Sequence, residues 1–206
     1  MEQKWLQWSL KNSSDGNGSA DICKVSEEER EEILDTLMGS RKQQQRTVLQ
    51  CISSLPHSDS QQKEALEFIE DFVEASVDDS LWIAKLPEFS SIILHTVFFE
   101  KCEFLKSRLW VVLAKMTQNN ELVQLYLLNY PGFTAQLQSC LQNEKSAVVY
   151  AKLLWFFRAF VGEKREIYNL FNISLIEKRI SDEFINDEAV QKSASNMIHS
   201  FLPFQE

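Results

Sequence analysis

From residue 26 onward, apolar positions recur at the three- and four-residue spacing of a helix face. Ser26 and Glu29 have the form of a capping box. Ile33, Leu34, Leu37 and Met38 then make an apolar stripe that Gly39 is placed to end. A second helix is predicted from about Gln43 to Leu55, with Val48, Leu49, Ile52 and Leu55 inward and Pro56 as the stop. In the next helix Glu64, Glu67, Glu70, Asp71 and Glu74 read as a solvated face opposite Leu66, Ile69 and Val73.

Beyond Pro56 the pattern repeats. Phe68, Phe72 and Ala75 are matched by Leu109, Leu113 and Met116, then Leu153, Phe157 and Phe160, then Ala194, Ile198 and Phe201. Stepping from Phe72 to Leu113 to Phe157 to Ile198 advances 41, 44 and 41 residues. A period of this length is the signature of armadillo or HEAT repeats, whose units bury their apolar faces only by stacking on one another. Breaks at Pro87 and at Pro131-Gly132 leave room for three helices per unit, which favours armadillo. The expected fold is therefore all-α: an armadillo-like helical solenoid of about three to four repeats with an N-terminal helical cap. The alternative is an irregular helical bundle.

In front of this body stands a segment of different character. Residues 1–12 form a short amphipathic tail with Trp5, Leu6, Trp8 and Leu10. Residues 13–25 carry Ser13, Ser14, Asp15, Gly16, Asn17, Gly18 and Ser19, the composition of a flexible linker. The repeat domain is expected over 26–206. A tethered apolar tail either touches a partner or folds back on the body as a satellite helix.

Composition narrows the function. Five glycines and four prolines in 206 residues suit helices better than a turn-rich β-fold. A formal net charge of -9 argues against nucleic-acid backbones and anionic membranes as partners. No apolar run is long enough for a membrane span, and Glu2, Lys4 and Gln7 interrupt any secretory core. The Asn-x-Ser triplets at Asn12, Asn17 and Asn172 accordingly carry little weight as glycosylation sites. Cys23, Cys51, Cys102 and Cys140 are too scattered for a metal site and are expected as free, mostly buried thiols in a cytoplasmic protein.

No catalytic constellation emerges. His57, His95 and His199 have no Cys, Asp or Glu at ligand spacing, and there is no phosphate loop or nucleophile elbow. The chain is expected to be neither an enzyme nor the holder of a cofactor or metal.

Three stretches carry a family resemblance. The tail "WLQWSLKNS", Trp5 to Ser13, closely resembles the opening of the cytosolic, fungal-type armadillo nucleotide exchange factors of the seventy-kilodalton heat-shock chaperone. "EALEFIEDFVEASVDDSLWIAKL", Glu64 to Leu86, resembles the family's first repeat, with Asp78-Asp79-Ser80 where the family has an Asp-Asn-Ala turn. "SRLWVVLAKMTQNN", Ser107 to Asn120, is similar to a later helix, with Arg108, Gln118 and Asn119 in place. Pro87-Glu88 and Tyr150 depart from the pattern, which has small residues and a basic residue there. The chain is also short for the family, ending inside or just after the fourth unit.

The resemblance implies a monomeric co-chaperone that grips the ATPase domain of the chaperone through a concave face and so promotes ADP release. It implies partner contacts at Asp78, Asp79, Ser80, Arg108, Asn119 and Lys192, each of which can also be read as a cap, a turn or an internal ladder. It further implies that Trp5, Leu6, Trp8 and Leu10 help release the client polypeptide. The competing class is an armadillo-type interaction scaffold without exchange activity.

Overall fold

The computed structural model describes residues 27–56 and 59–204, and among these there is helix and turn but no strand. The predicted tail 1–12 and linker 13–25 lie outside the described residues. The chain divides into two compact units, Met1–Arg41 and Lys42–Glu206.

Helix α1, Glu27–Ser54, is continuous where two helices were expected. Gly39 does not end it. A single glycine costs a helix only about 1 kcal/mol, and the Arg41 to Gln45 run that follows consists of good helix formers. Pro56 follows the stop as expected, and Val48, Ile52 and Leu55 are fully buried.

The second unit is organised by four helices: α2 (Asp59–Ala75), α5 (Glu103–Thr117), α8 (Ala147–Val161) and α11 (Glu188–Phe201). They are the helices that carry the repeated trio. They pack consecutively, α2 on α5, α5 on α8 and α8 on α11. Between α2 and α5 lie α3 (Val77–Ala84), a π-helical turn at Phe89–Leu94 and α4 (His95–Phe99). Between α5 and α8 lie α6 (Glu121–Asn129) and α7 (Phe133–Asn143). Between α8 and α11 lie α9 (Arg165–Tyr168) and α10 (Ile173–Glu183). These shorter helices keep the same order of pairing: α3 meets α6, and α4 meets α7, which meets α10.

Burial explains the rank of each helix. α5 and α8 bury 10 and 9 of their 15 residues, as helices packed between long neighbours do. Leu109, Leu113, Met116, Leu153, Phe157 and Phe160 are all fully buried. At the outer helices the columns loosen: Phe68 and Ile198 are half-buried and Ala75 is exposed, while Phe72, Ala194 and Phe201 stay buried. An aromatic cluster joins the layers, with Trp110 at 5.0 Å from Phe156 and Phe133 at 5.5 Å from Phe160, centroid to centroid.

Turn chemistry delimits the pieces. Ser76, Asn120, Ser146, Asn172 and Asp187 each cap the following helix by accepting from a backbone N–H two or three residues on. Asn172, met in the sequence as part of an Asn-x-Ser triplet, is thus the cap of α10. Gly162 ends α8 at φ +54, and a Cβ there would lie 3.2 Å from the Gln124 amide. That amide is needed where it is, because it donates to both Thr117 O and Ala159 O and so ties α5 to α8.

The turn before α8 is a polar hub. Lys106 on α5 donates to the Glu144 carboxylate, which also accepts from the Ser146 N–H. Burial pushes the Glu144 carboxyl up. The bonds from Lys106 and from backbone N–H groups pull it down further, leaving it below the ordinary value of 4.5. A carboxyl depressed in the folded state contributes stability above its unfolded value and loses it as pH falls through the folded one. Glu144→Gln is therefore expected to lower the urea midpoint at pH 7, with the gap to the parent narrowing below about pH 4. Paired urea titrations at the two pH values check this; a gap independent of pH would overturn it.

Candidate functional site

Of the six residues implied as partner contacts, four meet where the α2–α3 turn faces the α5–α6 turn. Asp78 is exposed in the first turn of α3, where a carboxylate complements the helix dipole. Asp79 beside it is buried. Ser80 is 2% exposed and its hydroxyl donates to Val73 O at 3.0 Å, closing a carbonyl at the end of α2. Asn119 is exposed in the left-handed region at φ +56, a conformation asparagine tolerates better than most residues. A cleft of about 210 Å³ lies between the two turns, with Ser80, Asn119, Lys115 and Val77 among its walls.

What joins the turns is the neighbouring Asn120. It is 3% exposed, donates to Val77 O at 3.2 Å and accepts from Val123 N–H at 3.3 Å. The sequence signal for this role is its position as a helix-cap residue directly before Glu121.

Arg108 lies along the α2–α5 seam. Its Nη2 is 2.7 Å from Glu70 Oε1, and its Nε is buried with no hydrogen-bond partner among the described residues. Lys115 reaches Glu70 at 3.1 Å and Glu74 at 2.9 Å. Burial alone would push the Lys115 ammonium down; the bonds to Glu74 and Glu70 more than offset this and hold it above its ordinary value. Glu70 therefore corrects the reading of a wholly solvated acidic face. It is 7% exposed, because its place on α2 points at α5 while Glu64, Glu67, Asp71 and Glu74 stay in solvent.

Lys192 is not brought to this group. It stands exposed on α11, and stepping back by the repeat intervals makes it level with Ala151 and Ser107, both buried, and not with Arg108. Trp5, Leu6, Trp8 and Leu10 lie outside the described residues.

Further exposed side chains stand on α5 and α8. Phe104 on α5 and Val148 at the start of α8 are 46% and 59% exposed, two of several large apolar side chains left uncovered among the described residues. The 44-residue step sets Phe104 level with Val148, Arg108 with Lys152 and Val111 with Trp155. Lys152 is exposed, its Nζ 6.0 Å from the half-buried Trp155 ring. These register-equivalent positions thus include the exposed Phe104, Val148 and Lys152, whereas Val111 is buried and Arg108 is paired with Glu70. A separate apolar groove of about 430 Å³ lies between α3 and α6.

His95 and His199 are exposed, and among the described residues no three His, Cys, Asp or Glu side chains gather as a metal site. Cys51 and Cys140 are half-buried and burial pushes the Cys140 thiol up to about 11, so it stays protonated. Cys102, expected among the buried thiols, is instead exposed, because it sits at the turn opening α5. No helix among the described residues is long and apolar enough to cross a membrane.

Among the described residues the protein is all-helical, with its long helices stacked in chain order. The chain matches no protein-family model, no curated protein and no solved structure.

Proposed function

We propose that the protein is an armadillo-like nucleotide exchange factor of the cytoplasm. It would grip the ATPase domain of the seventy-kilodalton heat-shock chaperone and promote ADP release without making or breaking bonds. One observation carries the proposal beyond the resemblance of the tail and two helices. α2, α5, α8 and α11 stack in chain order with two or three shorter helical pieces in each interval, which is compatible with three-helix units. Such a stack presents a broad face made of many modest contacts, here with Phe104, Val148, Lys152 and Trp155 uncovered or half-covered.

The mechanism is a shift of population. The body binds the open form of the nucleotide cleft better than the ADP-closed form, and can speed release only by that difference in affinity. ADP itself binds the chaperone. The tail residues Trp5, Leu6, Trp8 and Leu10 would then compete with client polypeptide, the linker raising their effective concentration beside a docked chaperone.

The test is release of fluorescent ADP from the isolated ATPase domain, with and without this protein as a monomer. Acceleration is expected to be many-fold. Phe104→Asp with Val148→Asp should abolish most of it while leaving the helical spectrum unchanged. Deleting residues 1–20 should leave ADP release intact and slow client release; equal loss of both would overturn the division between body and tail.

A second reading, an armadillo-type scaffold for another partner, is favoured by the internal engagement of Ser80 and Arg108, which holds two implied contacts within the fold. The same assay separates the two, since a scaffold leaves ADP release unchanged at micromolar protein.

A further inference from the structure

No further inference is drawn: the strongest candidate, the apolar groove between α3 and α6 lined by Leu81, Leu122, Leu125, Tyr126 and Tyr130, carries nothing because nothing in the structure shows what covers it.

Discussion

Replacing Arg179 with alanine is expected to cost about 3–5 kcal/mol, the range for breaking a buried charged network by removing one partner. Arg179 is 7% exposed on α10. Its guanidinium donates to Leu141 O at 2.9 Å, to Glu144 O, and twice to the Glu183 carboxylate at 3.0 Å. It also lies 4.8 Å from the Tyr150 ring and 5.3 Å from the Phe184 ring, which stack on each other at 4.7 Å. One side chain thus holds the end of α7, the turn before α8, and α10. Truncation leaves the Glu144 carbonyl without its donor and the two rings without their cation.

The conservative replacement is the sharper measurement. Lysine keeps the charge but has no planar fork, so it cannot reach these acceptors in separate directions at once. Arg179→Lys should therefore lose at least half as much stability as Arg179→Ala in urea unfolding. A lysine variant with the parent midpoint would overturn the argument from geometry. Tyr150→Phe is the companion control. It removes only the hydroxyl that donates to Leu141 O at 3.2 Å, and should cost about 1 kcal/mol. Burial pushes that phenol up to about 12, so it donates throughout the working pH range.

The second large effect is expected at Phe157. It is fully buried on α8, edge-on to Phe171 at 4.9 Å and to Phe201 of α11 at 5.7 Å. Phe157→Ala should cost about 3–5 kcal/mol, since the lost transfer energy is compounded by a cavity that rigid neighbours cannot fill. In a chain of this size that is a fall in Tm of roughly 10 °C. Phe68→Ala is the comparison, because Phe68 opens the corresponding trio on the outer helix α2 but lies half-buried there. Its loss should be less than half as large. Equal losses would mean that the trio marks helical periodicity alone and not position within the stack.

These two cases also separate what periodicity can reveal from what it cannot. The trio at Leu153, Phe157 and Phe160 was visible because α-helical spacing forces residues three and four apart onto one face, and that face must be buried. The steps of 41 and 44 residues likewise marked which helices are equivalent. Arg179 was not visible. Its partners Leu141 and Glu144 lie more than thirty residues earlier and are reached through carbonyl oxygens, which every residue has. Tyr150 was noticed only for standing where the resemblance implied a basic residue; its place is in the core, against Arg179 and Phe184. Gly39 misled because glycine weakens a helix without necessarily ending it.

By itself the sequence determined the helical class, the order of the four helices that carry the repeated trio and most of their inward residues. All of these depend on local periodicity and composition, which the chain carries without reference to its neighbours. Tertiary structure alone decided that Glu70 is an ion-pair partner and not a solvated acid. It also decided that Ser80 and Arg108 are engaged within the fold, that Asn120 holds two turns together, and that Phe104 and Val148 remain uncovered. Each of those outcomes depends on which helix lies alongside. A carboxylate, a hydroxyl or an apolar ring has the same chemistry in either setting, and only the neighbour it meets makes it core, ladder or surface.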